Sequence, residues 1–150
     1  MKISIRDDDP NYFTAFADLQ QAYGRFFGVL PVTFAVIPFV CDSYHRMLSI
    51  EGPSRKERLQ KQTEMVLALS AAEFADTQRH YPVGDNHELV AGLNSMITSG
   101  TGEVGLHGYN HRYYDDGAEF IKNHVNFFNV RDGLHYLNIL FGDTVTSFVP

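Results

Sequence analysis

The run Pro31-Val32-Thr33-Phe34-Ala35-Val36-Ile37 constrains the fold more than any other part of this chain. It is almost wholly apolar, rich in β-branched and aromatic side chains, and Pro38 ends it. A run without wet and dry alternation reads as a strand buried on both faces, the mark of a parallel sheet covered by helices. Parallel neighbours need long crossovers, so helical patterns should flank the strand. Before it, Asn11 to Phe27 places Phe13, Phe16, Leu19, Tyr23 and Phe26 or Phe27 every three or four residues, with Gly28 as a stop. After it, Asp85 to Ser99 carries Leu89, Leu93, Met96 and Ile97 on one stripe, capped by Asp85 or Asn86 and closed by Gly100 and Gly102.

Three further strands are expected: Lys2 to Arg6, where Ile3 and Ile5 are β-branched and the acidic turn ends the run, Glu103 to Leu106, and Thr144 to Val149. Lys56 to Thr77 is rich in Glu, Gln, Leu, Ala and Met and reads as one helix behind a loop at Ser49 to Ser54. Asp116 to Phe141 reads as helical in two pieces, broken near Asp132-Gly133. Strands alternating with helices predict an α/β fold of parallel βαβ units. A chain of 150 residues suits one domain, 1–150, able to hide roughly 68–70% of its unfolded surface. The link from the second strand to the third is long for one crossover, so a helical insertion is expected around 42–82.

Charge and composition narrow the function. The formal net charge is −6, and the densest basic stretch, Arg55-Lys56-Glu57-Arg58, contains its own acid. Nucleic acid is bound by neutralising phosphates, so it is not an expected partner. A single cysteine, Cys41, excludes an internal disulfide framework and reads as a small buried hydrophobe. The first residues lack a signal-like apolar stretch, and no run of about 18 apolar residues occurs. The expectation is a cytoplasmic protein without a membrane span.

Two polar clusters stand at strand ends. Asp7-Asp8-Asp9 closes the first strand, and His107-Gly108-Tyr109-Asn110-His111 follows the third. In open parallel sheets, functional groups collect at the carboxyl ends of strands, which places both clusters on one rim. Imidazole is the commonest protein ligand for transition metals, and a spacing of four lets His107 and His111 converge. One Asp and two His with open positions form the minimum of a catalytic metal site, most simply zinc. The metal would lower the pKa of bound water to about 7, and a second carboxylate would take its proton. Successive side chains of a strand face opposite ways, so Asp7 and Asp8 share a site only if the chain already turns at Asp9-Pro10. The other histidines, His45, His80, His87, His124 and His135, are expected to have no catalytic role.

Ile5-Arg6-Asp7-Asp8-Asp9-Pro10 resembles Thr-Phe-Asp-Asp-Gly-Pro, the first motif of the NodB-like polysaccharide deacetylases, a family of metal-dependent carbohydrate esterases. His107 to His111 resembles that family's His-Ser/Thr-x-x-His motif, Val32-Thr33-Phe34-Ala35 its second strand, and Phe148-Val149-Pro150 the start of its third motif. The resemblance spans nearly the whole chain. It implies a parallel-stranded (β/α) barrel of the polysaccharide deacetylase type, incomplete at the C-terminus, of which 1–150 is the N-terminal part. It implies Asp7 as general base, Asp8, His107 and His111 as ligands of a divalent metal, and an N-acetylated saccharide as substrate. Tyr109 and Tyr113 flank the ligands and are the candidates for stacking on a sugar ring. The chain departs from the pattern at Asp9, where Gly is usual, at Gly108, where Ser or Thr is usual, and at Val149, where an Arg that orients the base is usual. The general acid of the later motifs has no counterpart. Two alternatives stay open: a metal- or carbohydrate-binding domain impaired in catalysis, and a metal-dependent amidase of non-sugar substrates. An incomplete barrel exposes the edge of its fourth strand, so self-association is expected.

Overall fold

The structure, a computed structural model, describes residues 5–42, 50–114, 117–119 and 127–149. In chain order its main elements are β1 (Ile5–Asp8), α1 (Phe16–Tyr23), β2 (Val32–Val36), β3 (Phe39–Cys41), α2 (Arg55–Ala68), α3 (Ala71–Thr77), β4 (His80–Pro82), α4 (His87–Thr98), β5 (Gly102–His107), β6 (Tyr113–Tyr114), β7 (Gly117–Ala118), α5 (Phe127–Phe141) and β8 (Phe148–Val149). Four strands form one parallel sheet in the order β1-β2-β5-β8, so the chain is an α/β protein. The expected apolar run is its interior: Val32, Phe34, Ala35 and Val36 are all buried. Among the described residues no helix is long and apolar enough to cross a membrane.

Register divides the sheet into two unlike faces. Arg6 pairs with Thr33 and Thr33 with Glu103, while Asp7 pairs with Phe34 and Phe34 with Val104. One face therefore carries Val32, Phe34, Val36, Val104 and Leu106 into the core with Leu89, Leu93 and Leu137. Helices α1, α4 and α5 lie side by side, α1 against α4 and α4 against α5, and the latter two also pack on β5. The other face carries small or polar groups, and Thr33 Oγ1 donates to Glu103 Oε1 at 2.6 Å. By the same alternation Asp8 and His107 belong to this second face, and Asp7 to the helix-covered one.

Several elements differ from the sequence expectation, each for a local reason. The first helix begins at Phe16 rather than Asn11 because residues 11–14 are held as a turn. Asn11 Oδ1 accepts from Phe13 N, and Asn86 Nδ2 donates to the carbonyls of Tyr12 and Thr14. The helix expected at Lys56 to Thr77 is two helices. Ser70 caps α3 by accepting from Glu73 N, while the Glu73 carboxylate accepts from Ser70 N, so a new helix starts there. Conversely, α5 runs unbroken through Asp132-Gly133. Gly133 is buried against Leu106 and Pro38, where an added Cβ would lie 3.0 Å from a Leu106 methyl. Gly117–Ala118, expected to be helical, pairs with Tyr113–Tyr114 instead. The fourth strand is only Phe148–Val149. Lys2 to Ser4, Ser49, residues 120–126 and Pro150 lie outside the described residues.

The chain between β2 and α4 leaves and re-enters through an antiparallel ribbon. Phe39 pairs with Pro82, Val40 with Tyr81 and Cys41 with His80, and Asp42 N donates to Arg79 O. The ribbon also grips the loop after β5, since Phe39 N donates to Tyr109 O and Cys41 N to Asn110 O at 2.9 Å.

Candidate metal centre

The first sheet strand ends in a turn that reverses the direction of one carboxylate. Asp9 takes φ 78°, in the left-handed region that non-glycine residues seldom occupy. The turn is pinned on three sides: Asp9 N donates to Ala35 O, Ile37 N to Pro10 O, and Asn11 Nδ2 to Asp9 O. Asp9 Oδ1 then lies 3.0 Å from His107 Nε2 and 3.4 Å from His111 Nε2. His111 is the other non-glycine residue with positive φ among the described residues, at 51°. Strained backbone clusters where surrounding structure over-determines a functional geometry, and two of these three side chains sit on it.

Both imidazoles are oriented from behind. His107 Nδ1 lies 3.1 Å from the Val149 carbonyl on β8, which can only accept, so Nδ1 carries the proton. His111 Nδ1 lies 2.9 Å from Glu119 Oε2. With each Nδ1 engaged, both Nε2 atoms are turned to Asp9, and the three ligand atoms lie within 4.8 Å of one another. Ligand atoms of a tetrahedral zinc with bonds of about 2.0–2.1 Å stand about 3.3 Å apart. The Asp9 separations of 3.0 and 3.4 Å bracket that value, and one carboxylate with two imidazoles is a donor set that such an ion takes. A carboxylate or carbonyl behind each ligand histidine is the arrangement that fixes tautomer and ring direction at metal sites.

Electrostatics tie the cluster together in the metal-free chain. Burial disfavours the His111 imidazolium, but hydrogen bonds to Asp9 and Glu119 and their charges outweigh it and raise the pKa from the ordinary 6.5 to about 9. Burial likewise opposes the Glu119 carboxylate, yet His111 and the N–H groups of Asn110 and His111 hold its pKa below the ordinary value. A cation at the site would replace the proton that now compensates these acids.

The structure brings together His107 and His111 as anticipated, but their carboxylate is Asp9; neither Asp7 nor Asp8 joins the cluster. Asp8, implied as the ligand by the resemblance, is held by Arg6 at 2.6 Å. Asp7, implied as the base, lies on the helix-covered face with Tyr23 as hydrogen-bond partner. Burial raises its pKa, Tyr23 partly offsets this, and the charges of Asp8 and Asp9 add to it. The pleat separates the three acids, and the left-handed turn at Asp9 selects the third. Tyr109 is half-buried against Phe39, with ring centroids 5.3 Å apart. Tyr113 lies in β6, but its side chain is outside the described residues. His80, His87 and His135 stay out of the cluster, and His45 and His124 lie outside the described residues.

Sequence reasoning did not find Glu119, which is buried behind His111. Gly108 supplies a partial signal. It adopts φ 56°, and an added Cβ would meet the His111 ring at 2.5 Å and Glu119 Oε2 at 2.8 Å. A side chain at 108 would occupy the space in which these two meet. No protein family, curated protein or solved structure matches the chain.

Proposed function

We propose that this chain is a metal-dependent hydrolase that removes acetyl groups from N-acetylated sugars, on a partial barrel of the polysaccharide deacetylase type. The observation that carries the reading is the convergence of Asp9, His107 and His111, with both imidazoles anchored through Nδ1 and both Nε2 atoms turned to the Asp9 carboxylate. Three protein ligands with open positions are the pattern of a catalytic rather than a structural zinc site. When bound, zinc supplies a Lewis acid for an amide carbonyl and a water acidic near neutrality.

The rest of the chemistry belongs to the chain. Asp8 lies on the same face of β1 as His107 does of β5 and is oriented by Arg6, with contacts of 2.6 and 2.8 Å. This reading gives Asp8 the role of accepting the water's proton, moving it one residue on from Asp7. Arg6 then supplies locally the orientation that Val149 does not. The ligand and base pair becomes Asp9 and Asp8, followed directly by Pro10.

The test is acetate release from N-acetylglucosamine oligomers, with and without zinc, alongside metal content. Zinc-dependent release that chelation abolishes supports the proposal. Bound zinc without release favours the metal- or carbohydrate-binding reading, and release only from non-sugar acetamides favours the amidase.

A further inference from the structure

We infer that Glu119 is the positioning residue of this centre, holding His111 so that Nε2 rather than Nδ1 meets the metal. The inference rests on the reading of Asp9, His107 and His111 as a metal site and adds the part that makes one ligand competent. Glu119 enters from just beyond the β6–β7 hairpin, which returns the chain to the loop after β5. Its side chain is 4% exposed. Oε1 accepts from Tyr109 N and, at 2.9 Å, from Asn110 N. Oε2 accepts from His111 N at 2.6 Å and faces His111 Nδ1 at 2.9 Å.

That is four donors on one carboxylate, which has about four lone-pair sites to offer. Three are consecutive backbone N–H groups of the ligand loop, and the fourth is the ring of the ligand itself. One side chain thus fixes both the left-handed backbone of His111 and the rotation of its imidazole. It also makes the ring a better donor, because a carboxylate on the far nitrogen raises the basicity of the near one. An amide cannot substitute: glutamine would turn N–H groups toward two of the four donors. Gly108 completes the device by leaving Glu119 Oε2 and the His111 ring in contact.

The experiment measures zinc affinity by competition with a chromophoric chelator for the wild type and Glu119→Gln. Circular dichroism of both metal-free proteins confirms folding. In parallel, ¹⁵N imidazole spectra of the zinc-loaded wild type read which nitrogen of His111 carries the metal. We expect a folded Glu119→Gln whose affinity falls on the order of 10–100-fold. We also expect a wild type with His111 bound through Nε2 and its Nδ1–H retained. A residue important only for folding would lower thermal stability and leave the affinity of the folded variant unchanged; that result overturns the inference. Coordination of His111 through Nδ1 also overturns it, and this spectrum decides the matter if Glu119→Gln does not fold. A wild type that binds no zinc overturns the metal site and the inference together. Zinc bound equally by wild type and variant overturns the role of Glu119 alone.

Discussion

Replacing Gly108 by alanine separates backbone strain from steric conflict at the candidate centre. At φ 56° an alanine incurs the left-handed penalty of about 1–2 kcal/mol. Its Cβ would also stand 2.5 Å from His111 Cε1, 2.6 Å from Nδ1 and 2.8 Å from Glu119 Oε2. Both partners are tethered, His111 by Asp9 and Glu119, and Glu119 by three backbone N–H groups, so neither yields easily. Forcing a methyl into such packing adds about 1–3 kcal/mol. The expected destabilisation is therefore about 2–5 kcal/mol. Gly100 is the internal control. It has φ 73° and nothing within 4 Å of an added Cβ, so Gly100→Ala should cost only about 1–2 kcal/mol. Urea unfolding of the metal-free proteins, compared through midpoints at unchanged slope, measures both. Equal destabilisation of the two variants would refute the contact between Gly108, His111 and Glu119 as described.

Other outcomes follow from the same geometry. Asp9→Asn should abolish tight zinc binding in a chelator competition, whereas Asp8→Asn should bind zinc as the wild type does and lose acetate release. In the metal-free chain, the His111 contribution to stability is complete below about pH 6.5, its ordinary pKa, and is lost as pH rises through about 9. The stability difference between wild type and His111→Asn, a residue that tolerates the left-handed backbone, should shrink over that window in denaturation at stepped pH. Ser70→Ala removes the capping box of α3 and should destabilise it by about 1 kcal/mol, read as faster amide exchange in Ala71–Thr77.

What could be read in advance follows the length of the signal. β2 announces itself because a continuous apolar run leaves few alternatives. The Phe39–Cys41 and His80–Pro82 ribbon does not, because each strand is three residues long and the partners lie about forty positions apart. The pleat correctly warned that Asp7 and Asp8 face opposite ways. It could not say that Asp9 would turn back over the sheet, because that depends on anchors from Ala35, Ile37 and Asn11. Glu119 follows Asp115-Asp116-Gly117-Ala118 and reads as one more solvated acid. Only the hairpin that brings it beneath His111 gives it a meaning. The histidine pair was legible because both members sit within five residues, where chain geometry alone keeps them close.

The β3–β4 ribbon has a consequence for how this protein can vary. Because Cys41 lies opposite His80, the helices α2 and α3 form a side branch whose two ends meet at one point. Doubling the length of a closed loop costs only about 0.6 kcal/mol, so the branch is free to grow, shrink or be exchanged for a tight turn. Yet its base is bonded to Tyr109 and Asn110, between the two histidines. A graft at the tip would leave the centre untouched, while a one-residue slip in the ribbon would be felt there first. The branch is thus a natural port for engineering, with its sensitive hinge confined to three rungs of a ladder.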